Sequence, residues 1–174
     1  MIQQGKPITG YSSLSISKGK LLSIVHLMQA MGVRYGLGAK AVPLSASPPT
    51  FAPPGHVDCS GFARYAFYHV CNLTVPDGSS NQNDYLKSQG FKHHAIPAPG
   101  DYTTNLDPTI VYACFCRAGT RGETIGHVWF IVNIRGTWWS VESHGGVGPN
   151  SRLAITPVLE RICTDLYPLG YSTD

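Results

Sequence analysis

The run HVWFIVNIRGTWWSVE, residues 127–142, constrains this chain more than any other stretch. Residues 127–132 are apolar, β-branched and aromatic, and 138–141 are a second run of the same kind. Asn133-Ile134-Arg135-Gly136 between them is short and carries a glycine, as an antiparallel hairpin requires. Strands are predicted at 127–134 and 137–142, with another at 110–116 and a possible fourth at 161–167. In a hairpin the start of one strand lies beside the end of the next. His127 and His144 therefore become neighbours at one end of the sheet.

The first half of the chain has a different period. Leu21, Ile24, Val25, Met28 and Met31 make one helical stripe over 18–31, with Ser17 as cap. Cys59, Phe62, Ala63, Ala66, Phe67 and Val70 make a second, with Asp58 as cap and Pro53, Pro54 and Gly55 marking the loop before it. A short polar helix starts at Ser79 or Ser80 and runs to about Gln89. Helices first and an antiparallel sheet after them predict an α+β fold. At 174 residues, a single domain over 1–174 is expected, with 1–16 an extended lead-in.

Cys59 falls in the first turn of its helix, on the inward face. Unpaired N–H groups and the positive end of the helix dipole stabilise an anion there. That setting favours a thiolate, the species that attacks carbonyls. Gly61 leaves room for another chain or a substrate to approach. A structural cysteine is the alternative, since free cysteine is among the most buried residue types. A base oriented by a second polar group is what a nucleophilic cysteine needs, and His127 with His144 supplies that pattern. Taken singly, His127 also reads as a strand-start histidine bonded to backbone, and His144 as a loop histidine. Glu142 reads as a lesser candidate for a cleft carboxylate and more readily as a solvated strand-end acid, and the three tryptophans as packing residues.

Composition removes other classes. A hydrophobic fraction of 43% and a charged fraction of 13% describe a compact globule. Net charge is +3 and no Lys/Arg run occurs, so nucleic acid is not expected as a partner. No window approaches a membrane span, and the first twenty residues lack the apolar core of a signal peptide. Cys71, Cys114, Cys116 and Cys163 remain once Cys59 is set aside, and four cysteines allow two disulfides in three connectivities. Cys114 and Cys116 share a strand face and are not expected to bridge each other. The Cys-x-Cys spacing fits no standard zinc pattern, so no metal and no cofactor is expected. His93-His94 reads as a solvated loop pair.

Asp-Cys-Ser-Gly-Phe at a helix start, Gly-His-Val at a strand start and a polar residue after the next strand together resemble the NlpC-type cell-wall peptidases. These are papain-like cysteine enzymes that cut the peptide stems of peptidoglycan. The resemblance spans roughly residues 30–150 and includes Gly-Val-Arg-Tyr-Gly-Leu-Gly, 32–38. It implies Cys59 as nucleophile, His127 as general base and His144 as the residue that orients the imidazole. It also implies Tyr35 beside the site, with Asp58 and Ser60 helping to hold a stem peptide cut at a D-Glu–diaminopimelate type of bond.

Two insertions depart from the family pattern. One is proline-rich and uncharged apart from Lys40, over 39–57; the other separates Gly100-Asp101 from the following strand. Both are expected to border the cleft, the first narrowing it. AGTRGETIGHV is also similar to short amidase toxins delivered by type VI secretion. The chain is then expected to reach the cell wall by a secretion apparatus or phage lysis, or to be part of a larger protein. An immunity or delivery protein would be its partner. Two other functions fit the same residues: acyl transfer or deamidation on a protein, and a non-enzymatic binding module with a structural Cys59.

Overall fold

Ser17 begins the first helix as its position predicts. The computed structural model describes residues 14–174, and in it Ser17 Oγ accepts from Lys20 N at 3.0 Å. Helix α1, Lys18–Ala30, follows. Its first turn is also capped from the far end of the chain: Asp174 carboxylate oxygens accept from Lys18 N at 2.7 Å and Gly19 N at 2.9 Å. An anion there complements the helix dipole. Leu21, Ile24, Val25 and Met28 are buried, but Met31 is 43% exposed. The helix stops at Ala30 and Gly32 turns the chain at φ +71°, so the stripe is one residue shorter than its spacing suggests. Most of the lead-in, 1–13, lies outside the described residues; Ser15–Ile16 forms strand β1.

The 39–57 segment is more ordered than a loop. Arg34–Tyr35 (β2) pairs in parallel with His56–Val57 (β5), and Lys40–Ala41 (β3) pairs antiparallel with Phe51–Ala52 (β4). Helix α2, Cys59–Cys71, then starts at its Asp58 cap, and α3 spans Ser79–Ser88. The strands that follow are His94–Ala95 (β6), Ile110–Cys116 (β7), His127–Ile134 (β8), Thr137–His144 (β9) and Gly148–Leu153 (β10). Helix α4, Pro157–Ile162, and strand β11, Asp165–Ser172, complete the chain. The strand expected at 161–167 is therefore split. Thr156 Oγ1 caps α4 and Pro157 opens it, a helix-start pair that ends only before Asp165.

One mixed sheet runs β1-β11-β7-β8-β9-β10, with β6 also on β11. Its neighbours are antiparallel except β1 and β11. The fold is α+β. Both faces of the sheet are covered, which is why β8 is apolar almost throughout. Val128, Phe130 and Val132 pack with Leu21, Phe62 and Phe67 from α1 and α2. Trp129 and Ile131 face Leu159, Ile162 and Tyr102 instead. Tyr102 belongs to the second insertion, expected at the cleft. It is buried, donates from OH to Ala154 O at 2.8 Å and accepts from Trp129 Nε1 at 3.2 Å. That insertion roofs the second face of the sheet. All five cysteines are buried free thiols.

Candidate active site

Local geometry at the start of α2 is set by Asp58. Its Oδ1 accepts from Gly61 N at 2.6 Å and Ser60 Oγ at 3.0 Å, and its Oδ2 accepts from Gly38 N at 2.9 Å. Lys40 Nζ adds an ion pair at 3.6 Å to Oδ2. Two backbone tethers hold the same point: Asp58 N donates to Ala39 O at 3.0 Å, and Ser143 Oγ of β9 donates to Val57 O at 2.9 Å. A Cβ on Gly61 would lie 2.6 Å from Ala39 O. The space expected for a substrate or a second chain is thus filled by the protein's own backbone. Cys59 is the first residue of α2, and its Sγ lies 4.0 Å from Gly126 O at the mouth of β8.

The next residue in β8 is His127, whose Nε2 donates to Glu142 Oε2 at 2.8 Å. The other oxygen of that carboxylate accepts from Arg152 Nε of β10 at 2.8 Å. With Nε2 on the carboxylate, Nδ1 is the nitrogen left for the thiol, and Cys59 lies close enough to act on the ring. Burial pulls the His127 pKa down. Hydrogen bonds to Cys59 and Glu142, with the negative charge of both, outweigh it and raise the pKa to about 9. Glu142 is completely buried. Burial favours its neutral form, but the His127 hydrogen bond and the His127 and Arg152 charges hold it below the usual carboxylate range. Trp129 stacks on the imidazole at 5.4 Å, fixing the ring from behind. The result is a thiol at a helix start, an imidazole that is protonated at neutral pH, and a buried carboxylate behind it.

The solved structure of a Staphylococcus aureus subsp. aureus Mu50 protein, described as similar to lipoprotein and of the NLP/P60 family, superposes on 94% of this chain with a TM-score of 0.51 and 13% identity. The fold is NlpC/P60-type. This chain spans 45% of that protein's length, so it corresponds to less than half of it. An NlpC/P60 family protein from Bacillus cereus ATCC 10987 gives a TM-score of 0.43 at 15% identity over 66% of this chain and 32% of its own. Ly7917 gives 0.42 at 12% identity, over 86% of this chain and 62% of its own. No protein-family model and no curated protein matches the sequence.

Within the NlpC/P60-type fold, the structure brings Cys59, His127 and Tyr35 together. Tyr35 is half-buried, and burial, then the charges of Cys59 and Asp58, push its pKa up to about 12, so its hydroxyl stays protonated. Asp58 and Ser60 also lie at the site, both buried, but with their side chains engaged internally. His144 is at the same sheet end yet makes no bond to His127. Its Nδ1–H donates to Gly145 O at 3.3 Å, and its buried Nε2 has no partner among the described residues. Burial holds its pKa below the usual value. The contact expected of His144 is made by Glu142. Glu142 is no solvated strand-end acid, because β9 continues to His144 and β10 covers its flank.

His93 is not simply solvated either: its Nε2 bonds Asp165 Oδ1 at 2.5 Å, where Arg117 Nη2 also donates at 2.7 Å. Among the described residues no three His, Cys, Asp or Glu side chains gather as metal ligands do. No helix there is long and apolar enough to cross a membrane.

Proposed function

We propose that the protein is a papain-like cysteine hydrolase that cleaves amide bonds in peptidoglycan stem peptides, of the D-Glu–diaminopimelate type. The observation that carries this reading is the imidazole of His127 bonded to the buried Glu142 carboxylate, with the Cys59 thiol beside it at the start of α2. The proton rests on His127, and Cys59 Sγ adds as the thiolate to the amide carbonyl carbon. The backbone N–H of Cys59, in the first turn of α2, faces the developing oxyanion. His127 then protonates the leaving amine as the C–N bond breaks, and an acyl-thioester remains on Cys59. Water, deprotonated by the now neutral His127, releases the acid and restores the thiolate–imidazolium pair. Glu142 sets the tautomer and stabilises the imidazolium in each half of the cycle. Tyr35 lines the substrate side.

The likeness to an NLP/P60 protein supports this assignment of substrate class. Digestion of defined muropeptides, followed by mass, tests it. A new amide-cleaved fragment that is lost in Cys59→Ala is expected. Intact muropeptides, together with a Cys59 that iodoacetamide labels, would redirect the same chemistry to a protein amide.

A further inference from the structure

Glu142 sends its two oxygens to two strands: Oε2 to His127 on β8 and Oε1 to Arg152 on β10. Its register partner on β10 is Asn150, so the guanidinium reaches diagonally, two residues along, to make its bond. Arg152 is 28% exposed at its side chain, whereas Glu142 is wholly buried. A carboxylate held by one bond can rotate about its last torsion. A second bond to the other oxygen removes that freedom.

Charge adds a stronger constraint. The titratable groups that bear on Glu142 are His127 from β8, His144 from β9, Arg152 from β10, Cys114 from β7 and Tyr102 from the roofing segment. Of these, only Arg152 is charged at every stage of a hydrolytic cycle. His127 must pass through its neutral form, and His144 is held below its usual pKa by burial. When His127 is neutral, a buried carboxylate without another cation would take up a proton. It would then no longer stabilise the imidazolium that the next step requires.

We propose that Arg152 is a positioning residue that keeps Glu142 ionised and fixed in rotation while His127 is neutral. It touches neither substrate nor thiol and acts on catalysis through that carboxylate alone. The inference rests on the cysteine-hydrolase reading of the site.

The test compares Arg152→Met, Arg152→Gln and Arg152→Lys with wild type. The readouts are the pH dependence of Cys59 alkylation by iodoacetamide and of kcat/KM on muropeptides. Met and Gln should each move the acid limb up by about 1 pH unit or more, since a neighbouring cation lowers a carboxylate pKa by about that much. On the limb this is about a tenfold loss of rate. Lys, which keeps the charge, should restore most of it. Gln keeps a donor without charge, so it reads out the electrostatic effect should Met fold poorly. An unmoved acid limb in the neutral variants overturns the proposal. So does a loss equal at every pH that Lys does not rescue, which is what a merely structural arginine would give. An inert Cys59 in wild type would overturn the hydrolase reading, and Arg152's role with it. Reactive Cys59 with an unmoved limb removes Arg152 alone.

Discussion

Replacing Glu142 with glutamine keeps the shape of the side chain and removes the charge that faces His127. The imidazole pKa stands at about 9 against an ordinary 6.5, even though burial alone would lower it. That net rise favours the imidazolium by about 3 kcal/mol, at about 1.4 kcal/mol per pH unit. The His127 side chain is 17% exposed, so little of this is screened by solvent. Glu142 contributes both a hydrogen bond and a charge to the rise, and Cys59 the same pair. The neutral amide should therefore bring the pKa back toward 6.5 by about 1–2 pH units.

In the proposed mechanism His127 protonates the leaving amine, so its deprotonation sets the alkaline limb of kcat/KM. That limb is expected near 9 in wild type and about 1–2 units lower in Glu142→Gln. A direct check is the NMR titration of the His127 ring, which needs no substrate. Stability should follow the same group. A histidine with a raised pKa stabilises the fold fully below about 6.5, and that contribution disappears as pH rises through about 9. Wild type should then lose more of its Tm across that window than the glutamine variant. Glu142, with a lowered pKa, acts oppositely: its contribution is present above the ordinary carboxylate range and is lost on acidification. Coincident alkaline limbs in the two proteins would refute the argument that Glu142 tunes His127.

Cys59→Ala should leave far-UV circular dichroism unchanged and reduce turnover about 10³-fold or more; residual wild-type turnover in a folded variant would remove Cys59 as nucleophile. His127→Ala should cost nearly as much as losing the thiol, whereas His144→Ala should cost far less, because its nitrogens bond nothing in the catalytic row. Equal losses in steady-state assays would restore His144 as the orienting residue. Gly61→Ala places a Cβ 2.6 Å from Ala39 O, and crowding of this kind costs about 1–3 kcal/mol. Alanine is otherwise the better helix former by about 1 kcal/mol, so a raised Tm would show that the helix start and the Ala39 backbone are free to separate.

Features set by local sequence were legible, and those set by distant neighbours were not. Ser17 and Asp58 mark their helices because a capping side chain acts within three residues. Strands β7 and β8 begin and end where their apolar runs do. Strand β10, with Gly148-Pro149-Asn150, has no such run and exists because β9 offers it an edge. Without β10, Glu142 looks like the exposed end of a strand. With it, Glu142 is interior and meets Arg152. The hairpin register, Phe130 opposite Val141, does extend to put His127 opposite His144. The side chain that reaches the imidazole is nevertheless the diagonal neighbour two residues back, on the same face. An acid two residues before the paired histidine was the signal in the sequence, and its burial was what the sequence lacked.

The 39–57 segment decides what kind of site this is, and its contacts run along helix α2. Tyr65 OH donates to Ala46 O at 2.9 Å and His69 Nε2 to Leu44 O at 2.6 Å, both from α2. Ala39 O holds Asp58 N, and Lys40 Nζ reaches Asp58 at 3.6 Å and Ser60 Oγ at 3.4 Å. These are supports for the start and flank of α2, where a cleft wall alone would have left the helix untouched. Asp58, whose two oxygens are both engaged in this way, then has little capacity left for a cationic substrate group. Shortening the segment to a few Gly/Ser residues should therefore lower Tm by several degrees, since each lost kcal/mol is worth about 2–4 °C in a chain of this size. It should also slow Cys59 alkylation, because the first turn of α2 loses the backbone and side-chain contacts that fix it. A shortened protein with wild-type alkylation and broader muropeptide choice would show instead that the segment gates substrates and that α2 holds its own start.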